Sequence, residues 1–219
     1  MPEKVDYNRI MEAEIASLGG KKPDLLLHSC CAPCTSSVLE RLYPHFRIVL
    51  FYFNPNTHPK EEYDKRGAEL PKLLRASGMT DVEIVWGEYD PGRFFSAARG
   101  FETEPEGGAR CGECFTLRLG ETAKTAKKLG IERFCTTLTV SPHKNAGLIN
   151  TIGAELARNE GISWLYSDFK KKNGYLRSIE LSREYEIYRQ CYCGCTFSLE
   201  AAKEEKRLPL RGRRRAKTA

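Results

Sequence analysis

Short apolar runs alternate along this chain with stretches whose apolar residues recur at helical spacing. Asp24-Leu25-Leu26-Leu27-His28 follows Pro23 and reads as a buried strand. Residues 35–42 then read as a helix, and residues 46–53 (FRIVLFYF) as a second strand, β-branched and aromatic, broken at Asn54-Pro55-Asn56. Residues 60–77 carry a helical pattern that stops at Gly78, and residues 82–86 form a third strand. A long helix is expected over 114–129, ending at Gly130. A fourth strand follows over 133–139, a helix over 147–159 and a short fifth strand over 164–166. Upstream, Ile10, Met11, Ile15 and Leu18 recur at helical spacing among charges, the mark of an amphipathic helix.

Strands alternating with helices predict an α/β fold, a mostly parallel sheet with helices on both faces. Ligands of such sheets gather at the carboxyl ends of the strands. Cys30-Cys31 follows the first strand, residues 54–58 the second, and Ser141-Pro142-His143-Lys144 the fourth, so these three loops are expected to converge on one edge. The organisation expected is an N-terminal amphipathic helix over 1–22, a single α/β catalytic domain over 23–200, and a basic tail over 201–219.

Composition sharpens this picture in two respects. With 219 residues, 41% of them hydrophobic, one core of good size can be buried without disulfide staples. The formal net charge of +6 is local: from Lys206 onward there are seven basic residues and no acidic one, which leaves about −1 for everything before. That basic segment cannot bury apolar surface and is expected to be disordered. No run approaches the roughly 20 apolar residues of a membrane span, and the first twenty residues lack the apolar stretch of a signal peptide. The expectation is a soluble protein of a reducing cytoplasm, where structural disulfides are disfavoured.

Nine cysteines are therefore a chemical signal. Eight of them fall into three tight groups: Cys30, Cys31 and Cys34; Cys111 and Cys114; Cys191, Cys193 and Cys195. Thiolates are the natural ligands of zinc and of iron–sulfur clusters. Cys111-Gly-Glu-Cys114 is a C-x-x-C pair placed at a loop-to-helix junction, where the helix N-terminus favours thiolate. Alone it fits a redox pair or half a zinc site. Adjacent cysteines such as Cys30-Cys31 chelate one small tetrahedral ion poorly but reach two irons of a cluster. The first two pairs together read as four ligands of one [4Fe–4S] cluster, against a structural zinc or four core cysteines. Cys193-Gly-Cys195 permits a tight turn and suits a reversible disulfide, against further cluster ligands. Cys34 stands close enough to approach the metal or to pack, and Cys135 lies in a strand pattern and reads as core.

The segments LLLHSCCAPC (25–34), YFNPNTHPKEEYDKR (52–66), RCGECFTLRL (110–119), TTLTVSPHKN (136–145) and NGYLRSIELSREYEIYRQCYCGC (173–195) resemble, in this order, the cobalamin-independent epoxyqueuosine reductases. The resemblance covers about residues 24–199. It implies a fold similar to the nucleotide-binding fold of ATP pyrophosphatases and related HUP-like proteins. It also implies an activity, the two-electron deoxygenation of epoxyqueuosine at the wobble position of tRNA to give queuosine, the last step of queuosine biosynthesis. Family members carry a [4Fe–4S] cluster with an additional iron ion beside it. By motif position Cys30, Cys31, Cys111 and Cys114 match the cluster ligands, and Cys193 and Cys195 match a redox-active disulfide. The partners implied are the modified tRNA and an electron donor protein.

The proton donor is open among His28, Tyr52, His58, His143, Lys144 and Asp168. His28 equally suits a hydrogen bond to the backbone or to a cluster sulfur. Asp168 suits an additional iron or the substrate, and equally an ordinary loop carboxylate. Glu61, Glu62, Asp64 and Lys65 read as a solvated helix face. Arg177, Arg183 and Arg189 suit a phosphate groove, Tyr175 and Tyr192 a stacked base, and the basic tail an accessory phosphate contact. The rival functions are an ATP-using tRNA-modifying enzyme, which the absence of glycine in His28-Ser-Cys-Cys-Ala-Pro-Cys34 argues against, a zinc-binding module and a thiol–disulfide oxidoreductase.

Overall fold

The computed structural model describes residues 5–207. The strands are β1 (Asp24–His28), β2 (Arg47–Tyr52), β3 (Glu83–Trp86), β4 (Arg133–Thr136) and β5 (Ser163–Trp164). The helices are α1 (Tyr7–Ser17), α2 (Ala32–Leu42), α3 (Lys60–Ala76), α4 (Pro91–Ala98), α5 (Ala109–Lys128), α6 (Ala146–Glu160), α7 (Gly174–Glu184) and α8 (Thr196–Arg207), with a 3-10 turn over Thr137–Val140. All four strand pairings are parallel, in the order β3-β2-β1-β4-β5. The α/β expectation holds, and the sheet is parallel throughout.

The two-residue period of the strands sorts the core into two layers. Leu25 and Leu27 of β1, with Ile48, Leu50 and Tyr52 of β2, face a layer that includes Met11, Leu39, Leu42, Leu70 and Leu73 from α1, α2 and α3. Leu26, Phe51 and Phe134 face the opposite layer, with Phe115, Leu119 and Ala123 of α5 and Ile149 and Ala157 of α6. Cys135 alternates with Phe134 and falls in the first layer as a core residue. Gly153 lets α6 approach β5: a Cβ there would lie 2.4 Å from the Trp164 indole.

Three differences from the sequence expectation bear on the site. The helix expected from residue 114 begins at Ala109, so Cys111 lies in the first turn of α5 and Cys114 in the next. The fourth strand stops at Thr136, and Thr137–Val140 winds into a 3-10 turn. Helix α8 runs through residues 201–207, the start of the segment expected as tail. Residues 208–219, with most of the basic segment, lie outside the described residues.

The carboxyl ends of three strands are tied by one side chain. Fully buried His28 bonds through Nε2 to the Phe53 carbonyl at 3.1 Å and through Nδ1 to the Thr136 hydroxyl at 2.8 Å. The carbonyl accepts only, so Nε2 carries the proton and Nδ1 accepts from Thr136. Burial, with the Arg118 charge second, pushes the imidazole down to about 3, keeping it neutral.

Candidate active site

The first group of thiols is built where β1 ends and α2 begins. Cys30 donates its N–H to the Thr137 hydroxyl at 3.0 Å, and that hydroxyl donates to Cys30 Sγ at 3.2 Å. Cys31 is the N-cap of α2, and Cys34 lies in the first turn of that helix. The three Sγ atoms lie within 4.8 Å of one another, Cys30 and Cys31 at 3.7 Å. Hydrogen bonds from the Cys31 and Cys34 thiols hold Cys30 well below the ordinary cysteine value, with Lys144 and Arg118 adding positive charge. The same bonds push Cys31 up to about 11 and Cys34 well above its usual range. A metal bound by the trio would displace the thiol protons.

The second group stands on α5. Cys111 Sγ accepts the Gly107 N–H at 3.2 Å. Cys114, one turn on, is buried, and burial pushes its thiol up to about 12. Arg118 follows one further turn along the same face. Its Nη1 lies 3.9 Å from Cys114 Sγ, and its Nη2 donates to Asn54 Oδ1 at 2.6 Å. Asn54 in turn donates to the Ser29 carbonyl at 2.9 Å, beside Cys30. Arg118 is 2% exposed; burial opposes its charge, but Cys114, Cys30 and Cys193 outweigh this and raise its pKa.

The third group is a loop clamped at several points. Arg66, 2% exposed, donates to the Cys193 carbonyl at 2.9 Å and to the Tyr192 carbonyl at 3.3 Å, and its guanidinium lies 4.8 Å from the Tyr192 ring centroid. The His58 N–H donates to the Gly194 carbonyl, and the Tyr192 hydroxyl donates to the His58 carbonyl, both at 2.8 Å. Gly194 has φ +139°, a conformation that favours glycine, and a Cβ there would lie tightly, 3.1 Å from the Arg66 and Thr57 side chains. Cys193 and Cys195 are free thiols, as are the other seven cysteines.

The groups meet at two adjoining cavities. Cys111, Cys114, Cys193 and Cys195 line one. Cys30, Cys31, Cys34, Cys191 and Cys193 line the other, of about 440 Å³, whose far wall is Tyr175, Arg189, Gln190 and Tyr192. Arg118, His143, Lys144, Glu106 and Cys193 line both. Burial works against the Lys144 ammonium, but Cys193, Cys30 and Cys34 around it raise its pKa above the usual lysine value.

Eight cysteines are therefore gathered, and His143, Lys144, Tyr175, Tyr192 and Arg189 stand with them. The other residues singled out are placed elsewhere. Tyr52 is buried and donates its hydroxyl to the Tyr63 carbonyl at 2.8 Å. The His58 ring packs edge-on against Phe95. Asp168 pairs with Lys170 at 2.7 Å and faces Arg41 in the last turn of α2, whereas the cysteines sit at that helix's start. It lines neither cavity. Glu62 is not solvated as expected: it pairs with Arg66 at 2.8 Å and accepts the Tyr188 hydroxyl. Arg177 is engaged by Glu40 and Glu180. The sequence reading passed over Arg66, Arg118, Thr137 and Gln190. Of these only Arg118 left a signal, its four-residue spacing from Cys114.

The donor set suits a thiolate-bound metal group. The Cys30, Cys31 and Cys34 sulfurs are close enough to share one metal. The buried Arg118 guanidinium and the half-buried Lys144 ammonium offset their charge. The Arg118 Nε–H is buried with no partner among the described residues, a donor left over for a further acceptor.

A parallel α/β sheet whose carboxyl edge collects thiols around a buried arginine and a half-buried lysine suits an enzyme whose cysteines could bind a metal. A family model described as "Epoxyqueuosine reductase QueH" matches residues 25–201. A Streptococcus pyogenes protein named epoxyqueuosine reductase QueH is 41% identical over 201 residues, covering 90% of this chain and 79% of that protein. Relatives of the same name from Staphylococcus epidermidis and Thermotoga maritima are 40% and 34% identical, covering 85% and 93% of those proteins. The chain belongs to the epoxyqueuosine reductase QueH family. No helix among the described residues is long and apolar enough to cross a membrane.

Proposed function

We propose that this chain reduces the epoxide of epoxyqueuosine in tRNA to the alkene of queuosine. Both carbon–oxygen bonds of the epoxide break, a carbon–carbon double bond forms, and the oxygen leaves as water. The balance is two electrons and two protons, the electrons from an external donor protein. The observation that carries the reading is the gathering of eight thiols, a buried arginine and a half-buried lysine around two adjoining cavities, the larger of nucleoside dimensions, in a member of this family.

In this reading Cys30, Cys31, Cys111 and Cys114 hold a [4Fe–4S] cluster. When bound, the cluster would supply one-electron transfer and an additional iron ion would supply a Lewis acid. Cys193 and Cys195 would return two electrons as their thiols close to a disulfide, which two electrons from the external donor protein reopen. Lys144, which lines both cavities, is the proton donor in this reading for the departing oxygen. Tyr175 and Tyr192 present faces against which the base stacks, and Gln190, whose Oε1 has no partner among the described residues, offers an amide for the base edge. The catalytic unit is residues 23–200, with the basic segment as an accessory phosphate contact. A reducing cytoplasm suits this thiol chemistry.

The test is anaerobic reconstitution with iron and sulfide, then incubation with tRNA carrying epoxyqueuosine and a low-potential reductant, read by mass spectrometry of the digested nucleosides. Loss of one oxygen is expected. An unchanged nucleoside while the chromophore is reduced and reoxidised sinks the assignment. A colourless zinc protein removes the cluster, and full activity without iron turns the reading to thiol–disulfide exchange.

A further inference from the structure

Arg118 is a costly residue to bury. A guanidinium removed from water needs compensating partners. It has one strong neutral partner, Asn54 Oδ1 at 2.6 Å, and a long contact to Cys114 Sγ at 3.9 Å, and its Nε–H has no partner among the described residues. The cysteines whose negative charge would stabilise it stand on three different segments: Cys114 on its own helix, Cys30 after β1, and Cys193 on the loop before α8. Asn54 fixes its place, because the same amide donates to the Ser29 carbonyl next to Cys30. Thus one side chain is held to the end of β1, contacts Cys114 and lines both cavities, whose cysteines are far apart in the chain.

We infer that Arg118 is a positioning residue that supplies the fixed positive charge of the thiolate site, aimed by Asn54, and so sets the reduction potential of the group held there. This rests on the cluster reading of the site. A fixed cation in low dielectric stabilises the more negative, reduced state. Its spare Nε–H is available to donate to a sulfur of the bound group, which would act in the same direction. Removing the charge lowers the midpoint potential. Keeping the charge while losing the flat fork of donors lowers it less.

The experiment is spectroelectrochemical titration of reconstituted full-length protein, with iron and sulfide content measured alongside, for wild type, Arg118→Gln, Arg118→Lys and Asn54→Asp. The carboxylate introduced by Asn54→Asp would neutralise the guanidinium without deleting it. The expected result is a negative shift of the midpoint in Arg118→Gln and Asn54→Asp, with Arg118→Lys closer to wild type. A fully loaded Arg118→Gln with the wild-type midpoint overturns the inference. If Arg118→Gln does not load, Asn54→Asp decides: a negative shift supports the inference and the wild-type midpoint overturns it. Loading by Arg118→Lys alone also supports a requirement for the charge, and failure of all three variants to load overturns it in favour of a purely structural role. A wild-type protein that takes up no iron and sulfide refutes the cluster reading instead.

Discussion

Arg66 Nη1 donates a 2.9 Å hydrogen bond to the Cys193 carbonyl, joining the middle of α3 to the thiol loop 127 residues further along the chain. The guanidinium is held from behind by Glu62 and lies over the Tyr192 ring. The position of Cys193 is therefore decided by a helix that contributes no cysteine.

Replacing Arg66 by alanine removes this anchor and leaves Glu62, only 13% exposed, without its partner. Breaking a buried pair costs about 3–5 kcal/mol, and partial solvation of Glu62 puts the expected loss at the low end, roughly 3 kcal/mol. Urea unfolding measures it. Arg66→Lys restores much of the stability but not the two carbonyl contacts, so kcat is expected to stay low while iron content is normal.

Cysteine variants separate the groups. Alanine at Cys111 or Cys114 is expected to abolish iron and sulfide binding. Alanine at Cys193 is expected to spare the cluster and cripple turnover. Iron and sulfide analysis with single-turnover kinetics checks both, and a full cluster in Cys111→Ala contradicts the ligand assignment.

The aromatic wall of the larger cavity is expected to act on binding. Tyr175 lines this cavity with the Arg189 guanidinium 5.2 Å from its ring centroid, and a base would stack on it. Stacking is worth about 1–3 kcal/mol per base, so Tyr175→Ala should weaken binding of an epoxyqueuosine-bearing anticodon stem-loop roughly 5- to 150-fold. Tyr175→Phe should bind nearly as wild type. Fluorescence anisotropy at fixed salt reads the difference.

Gly153→Ala tests the packing of α6 on β5. A Cβ 2.4 Å from the Trp164 ring forces a shift of backbone or indole. Overpacking of this kind costs about 1–3 kcal/mol. Thermal unfolding is expected to show the loss with iron content unchanged.

The sequence carried the strands and most helices because each buries a face of regular period. β1 was legible to the residue, and α3 and α6 to within one. The same pattern placed Cys30, residues 54–58 and residues 141–144 at one edge of the sheet, since parallel strands send all their carboxyl ends the same way. Helix α4 was missed because its eight residues are too few for periodicity to show. Helix α7 starts from Asn173 in a left-handed conformation, with Gly174 pressed against the Phe169 carbonyl, a contact that local pattern does not encode. The glycines at 107, 108 and 112 masked the first turns of α5, which hydrogen bonds from Gly108 onward nonetheless close.

By itself the sequence determined the fold class, the clustering of eight cysteines and their edge of the sheet, because thiol spacing and hydrophobic period are local properties. Only the tertiary structure decided which charges stand among those thiols. Asp168 was drawn toward Lys170 and Arg41, while Arg118 and Lys144 came to lie among the cysteines. A buried cation is stable only where distant segments bring negative charge and hydrogen-bond acceptors to it, and that requirement is written in no single stretch of the chain.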